Sequence, residues 1–213
     1  MNWVVRTLNA SIGRKLFMAV TGLCFFLFLV VHLSGNLTLH FGPETFTWYV
    51  EHLSALGLLI TAAELTLGLF AMVHVAMGLI LYYHNFVSRP VRYRVYRSGG
   101  GRTIGSRLQP YTGLIILVFL VVHLINFRLV KGSNEGLYSL VADLFARPEY
   151  VLFYVAGTIA VALHVSHGFW SAFQTLGASH PKYSPIVTAA GLLASLAFGL
   201  GFGLIPISML IFR

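Results

Sequence analysis

Between Lys15 and Glu44 the chain carries no Asp, Glu, Lys or Arg. Residues 16–37 of that stretch would rise about 33 Å as a helix, enough to cross the hydrocarbon core of a bilayer. Four more apolar blocks follow. One runs from about Leu56 to Phe86 with Glu64 inside it, and one from Leu108 to Phe127, closed by Arg128. The next covers Tyr150 to Phe173, and the last lies in the charge-free stretch from Tyr183 to Phe212. The pattern predicts an all-α integral membrane bundle of five transmembrane helices at approximately 16–39, 56–86, 108–128, 150–174 and 184–211, in a single domain over 1–213. Gly199, Gly201, Gly203 and Pro206 are expected to bend the last turns of the fifth helix. The first segment is longer than a signal-peptide core and has no obvious cleavage site, so it is expected to be retained. No internal repeat at a fixed period, low-complexity tract or second domain is apparent.

Composition agrees with the pattern. Hydrophobic residues make up 57% of the chain and charged residues 9%, against the ~25% charged of an ordinary soluble domain. A soluble fold of this size still shows water roughly 30% of its potential surface, so a water-soluble class is excluded. The net charge of +8 does not imply nucleic acid, because the basic residues sit in short stretches between apolar blocks, the distribution that orients a membrane chain. With the N-terminus inside, the inner side receives Arg6, Arg14, Lys15, Arg89, Arg92, Arg94, Arg97, Arg102, Arg107 and Lys182. The outer side receives Arg128, Lys131, Arg147 and Arg213. Ten against four predicts an inside N-terminus and an outside C-terminus. The basic stretch from Arg89 to Arg107, with its Ser98-Gly99-Gly100-Gly101 turn, suits anionic lipid or an acidic partner surface. A single cysteine, Cys24, rules out an internal disulfide scaffold.

Four of the nine histidines, His32, His74, His123 and His164, lie one in each of the first four apolar blocks, where an imidazole is costly without a partner. Successive helices alternate in direction. His32 and His123 therefore share a depth toward the outer face, and His74 and His164 share one toward the inner face. Two imidazoles facing each other across a bundle suit axial ligation of haem iron, and small residues near them, Gly35, Gly78, Gly113 and Gly168, would let a flat macrocycle approach. Two haems at these depths would carry electrons across the membrane. Hydrogen-bonded packing and a proton relay are the competing readings of each histidine, and His167 is a rival to His164 as ligand. Zinc fits less well, since each layer offers two histidines rather than four ligands. His40, His52, His84 and His180 fall in loops or at interfaces.

The motifs then resemble a family. Gly-Arg-Lys at 13–15, Val-His-Leu-Ser-Gly-Asn at 31–36, Val-His-Val-Ala-Met-Gly at 73–78, Leu-Gln-Pro-Tyr-Thr-Gly at 108–113, Val-His-Leu at 122–124 and His-Val-Ser-His-Gly-Phe-Trp-Ser at 164–171 are similar, in order and spacing, to the dihaem cytochrome b anchor of succinate:quinone oxidoreductases and menaquinol:fumarate reductases. The resemblance runs from about Ser11 to Phe212. It implies two haem b groups, a proximal one held by His74 and His164 and a distal one held by His32 and His123. It also implies a flavoprotein with FAD and an iron-sulfur subunit on the inner side, possible association of whole complexes, and a prokaryotic inner-membrane location. The quinone, menaquinone by this resemblance, would react near the distal haem, where Glu64 and Glu51 are the acids available for proton transfer. Some fumarate reductases of the family have a glutamate two residues before the fourth-helix histidine. Here that residue is Ala162, which tilts the reading toward succinate oxidation. Alternatives are a fumarate reductase, another dihaem respiratory complex, a proton-relaying transporter, or an anchor without redox chemistry.

Overall fold

A computed structural model of the chain describes residues 10–88, 104–129 and 136–212. The described residues are helical nearly throughout, with no strand among them. The order is α1 (Ser11–Asn36), a 3₁₀ turn (Leu37–Phe41), α2 (Pro43–Ser54), α3 (Leu58–Val87), α4 (Ile104–Leu124), a π-helical turn (Ile125–Leu129), α5 (Leu137–Phe145), α6 (Pro148–Thr175) and α7 (Ser184–Ile211). Five of these, α1, α3, α4 with its π-turn, α6 and α7, are long and apolar enough to cross a membrane. The fold is an all-α bundle of five such helices. The basic residues 89–102 with their glycine turn, together with Arg6, Lys131 and Arg213, lie outside the described residues.

Local chemistry explains the breaks. Gly42 adopts φ 95, which β-carbon sterics deny to most residues, and Pro43 then opens α2. Pro148 opens α6 with Glu149 in its first turn, where the helix dipole favours an acid. At the other end of α6, Gly177 at φ 81 lets its own N–H reach the Gln174 carbonyl (3.1 Å) and the Ala178 N–H reach Phe173 (2.9 Å). Two orphan carbonyls are satisfied by that turn.

The two connections on one end of the bundle are structured. The sequence pattern reads residues 40–55 and 129–149 as loops, yet each holds a short helix, α2 and α5, that packs against its counterpart and onto the bundle. Their apolar residues Phe46, Val141 and Phe145 join Leu39, Val151, Tyr154 and Ile205 in the best-buried cluster of the molecule. Helices this short fall below any spanning-length criterion, which is why a search for apolar blocks passes over them.

Four helices form the central bundle. α1 packs on α3 and on α6, and α4 packs on α6, whereas α3 and α4 touch only sparsely. A cleft of about 370 Å³ opens between those two, lined by Ala71, Met72, Val75, Ala76, Leu79, Leu117 and Leu120. α7 lies along α6 and reaches α1. The glycines of α7 serve this packing. A β-carbon at Gly199 would stand 3.0 Å from that of Ala162, one at Gly201 2.8 Å from Leu33, and one at Gly203 3.2 Å from the Thr158 hydroxyl. The helix continues through Pro206 to Ile211, and the small residues bring helices together, a use typical of membrane bundles. The outward faces are apolar. Leu58 is 83% exposed, and α3 has no buried residue at all; such a surface belongs in lipid.

The structure also corrects the absence of a repeat. Residues 21–33, TGLCFFLFLVVHL, and 112–124, TGLIILVFLVVHL, are identical at 9 of 13 positions. They lie in α1 and α4. A weaker echo, His-Val-x-x-Gly, occurs at 74–78 in α3 and 164–168 in α6. Long helix, short helix, long helix is therefore built twice, as α1–α2–α3 and as α4–α5–α6, with α7 added. Only two copies some 90 residues apart exist, and both are built from common apolar residues, so a search for periodicity does not register them.

Candidate functional site

The repeated helices bring the four histidines into two layers. His32 of α1 faces His123 of α4 with ring centroids 5.9 Å apart, and His74 of α3 faces His164 of α6 at 6.4 Å. Both pairs lie across the diagonals of the four-helix arrangement, between helices that do not otherwise pack closely. All four side chains are half-buried. In α1 the His74/His164 layer is met at Thr21 and the other layer at His32. The separation of eleven positions corresponds to about 16 Å of helix rise.

Ring spacing tests what these layers can hold. Two imidazoles on opposite sides of one metal ion, with metal–nitrogen bonds of about 2 Å, place their ring centres about 6 Å apart. The observed centroid separations of 5.9 and 6.4 Å match that span. His123 Nδ1 adds a second sign: it is buried and has no hydrogen-bond partner among the described residues. Such a nitrogen costs about 1–3 kcal/mol in a protein interior. No group of three or more His, Cys, Asp or Glu converges among the described residues, so each layer offers two donors and leaves other positions to a ligand that brings its own.

Neighbouring helices hold the rings of one layer. The Thr21 hydroxyl lies 2.9 Å from His74 Nδ1, and the Thr112 hydroxyl 3.1 Å from His164 Nδ1. Gln109 Nε2 donates to the His164 carbonyl at 2.9 Å. The other layer is furnished differently. Phe28 stacks on His32 and Phe119 on His123, at 5.1 and 5.8 Å. The Asn36 amide donates to the His32 carbonyl (2.7 Å) and stands 3.4 Å from both ring nitrogens. Tyr154, buried beside His123, accepts a hydrogen bond from Asn126 of the π-turn at 3.1 Å.

The remaining candidates fall as follows. His167 is not in either facing pair; its β-carbon lies against Gly105 and its ring against Trp170. Glu64 forms a two-pronged ion pair with Arg128, at 3.0 and 2.8 Å, which ties the second turn of α3 to the π-turn that follows α4. Glu51 is exposed on α2. Of the glycines expected near the histidines, Gly113 does approach one, but it is His164 on the neighbouring helix. Gly35 makes room for the Tyr49 ring, Gly78 has open space around it, and Gly168 meets Gln109. Thr21, Gly22, Thr112 and Gln109 escape a reading that looks for small residues beside each histidine along its own helix. The recurrent Thr-Gly-Leu at 21–23 and 112–114 is the signal that identifies them.

Over 71 residues the chain is 31% identical to the succinate dehydrogenase cytochrome b558 subunit of Bacillus subtilis (strain 168). The chain resembles a cytochrome b anchor of that kind. The matched stretch is 33% of this chain and spans about a third, 35%, of the relative. No family model matches, and no solved structure matches.

Proposed function

We propose that this chain is the cytochrome b membrane anchor of a succinate:quinone oxidoreductase. The observation that carries the proposal is the pair of diagonal histidine contacts at 5.9 and 6.4 Å, the span of a bis-imidazole iron site, repeated at two depths. The curated relative, itself a cytochrome b558 subunit of succinate dehydrogenase, supports the same reading.

A haem b in each layer would supply a one-electron carrier. His74 and His164 would hold the proximal one, nearer the inner side, and His32 and His123 the distal one. The residues of this chain fix the ring positions, keep the layers about 16 Å apart along α1 and line the His32/His123 layer with Phe28, Phe119 and Phe202 rather than water. A flavoprotein and an iron-sulfur subunit would dock at the inner end, where Arg14, Lys15 and Arg107 lie, and the dicarboxylate chemistry would be theirs. Quinone, with menaquinone as the species the motif resemblance implies, would react at the outer end. There Glu64 is the acid placed at a helix end, held by Arg128, with Glu51 further out on α2. The chain would lie in a prokaryotic inner membrane with its N-terminus inside.

Ala162 favours succinate oxidation as the working direction. Its β-carbon lies where α7 crosses at Gly199, so a longer acid at this position requires α7 to move.

Haem content per chain, measured by pyridine haemochrome on the detergent-purified protein, tests the reading. Two b haems are expected in the wild type, and one fewer in each of His74→Ala and His123→Ala. A folded wild type that takes up no haem on reconstitution sinks it. Succinate-driven quinone reduction after assembly with the two soluble partners tests the remainder.

A further inference from the structure

The duplicated Thr-Gly-Leu stretches meet equivalent histidines. Thr21 on α1 lies against His74 of α3, and Thr112 on α4 against His164 of α6, at 2.9 and 3.1 Å from Nδ1. The following glycine in each case faces the same ring: a β-carbon at Gly22 would be 3.4 Å from His74 Cε1, and one at Gly113 3.5 Å from His164 Cε1. Both threonines are buried, at 3% and 4% exposure.

Each hydroxyl has an acceptor for its proton on its own helix. Thr21 Oγ1 donates to the Phe17 carbonyl at 2.6 Å and Thr112 Oγ1 to the Leu108 carbonyl at 3.0 Å, the usual bond of a helical threonine to the preceding turn. A hydroxyl has one proton, so toward the histidine each threonine accepts. Nδ1 must then carry the ring proton and donate it, which leaves the lone pair on Nε2. The His32/His123 layer lacks this arrangement: Asn36 offers a donor to His32, and His123 Nδ1 has no partner among the described residues.

From this geometry we infer that Thr21-Gly22 and Thr112-Gly113 are positioning residues for the His74/His164 iron site, fixing which nitrogen of each ring faces the metal and making that site electronically distinct from the other. The inference rests on the haem reading above. Donation from Nδ1–H makes the imidazole a more basic ligand and favours ferric iron. Removing the acceptors raises the midpoint potential of that haem alone.

The experiment is a redox titration, with low-temperature EPR of the ferric haems, on the purified full chain and on Thr21→Val, Thr112→Val, the double variant and the two Thr→Ser variants. His74→Ala identifies which titration step belongs to this site. The valine variants should keep two haems and shift that step upward, most in the double variant, by up to a tenfold change in the ferric/ferrous equilibrium, about 59 mV for one electron. The other step should stay where it is, and serine should restore the first. A double variant with two haems and unchanged potentials and g values overturns the inference while leaving the haem reading intact, as does an equal shift of both haems. A wild type without haem overturns both. If the double variant does not fold, the single variants and Gly113→Val, which displaces the His164 ring, give the same readout at the same step.

Discussion

Gly35 shows how much a single position can be determined by a neighbour remote in sequence. A β-carbon there would stand 2.5 Å from the Tyr49 hydroxyl oxygen and 2.6 Å from its ring. Gly35→Val should therefore push α2 off α1 and lower stability by about 1–3 kcal/mol, read as a fall in the detergent-melting midpoint, whereas Gly78→Ala, with open space around it, should leave the midpoint unchanged. The Glu64–Arg128 pair is well exposed on both sides, and an exposed pair contributes at most about 1 kcal/mol. Glu64→Gln should accordingly keep both haems and nearly the wild-type melting point while slowing quinone reduction in the assembled complex; unchanged turnover would remove Glu64 from the proton path. The four facing histidines were legible in the sequence because imidazole is rare and costly in apolar blocks. Their threonine partners were not, since a helical threonine bonded to its own preceding turn is ordinary, and only the fold shows that it also meets a ring 53 residues away.

Among the elements, α3 is held least. It has no buried residue, packs mainly on α1 and meets α4 only sparsely, yet it supplies His74. Amide exchange should be faster along the middle of α3 than along α6, which has buried residues from Val151 to Ala172. On the proposed function, haem loading should protect α3 more than any other helix, because a haem held by His74 and His164 would join α3 to α6 across the bundle. Equal protection of all helices on loading would contradict that picture. The spanning helices follow directly from block length and charge. The short helices α2 and α5 do not: their apolar residues are too few to form a block, and they become helical by packing on Leu39, Tyr154 and Ile205, a tertiary cause that no window of sequence contains.

For the whole molecule, orientation is carried by charges that lie largely outside the described residues. Reporter fusions at the two termini should place the N-terminus on the cytoplasmic side and the C-terminus opposite; the reverse result would overturn the topology and exchange the names proximal and distal. The duplicated half is the feature that most changes how the chain is understood. Each layer takes one histidine from each half: His32 and His74 come from α1 and α3, His123 and His164 from α4 and α6. Neither half alone can bring the two histidines of a pair together. Residues 1–88 and 89–213, expressed as separate polypeptides, should each lack the haem spectrum and recover it together. A polypeptide of half this length, pairing with its own twin, would bring its equivalent histidines face to face at both depths. The arrangement thus has the form of two like subunits joined end to end, with α7 added after the second and one of the two seams between them left open as the cleft.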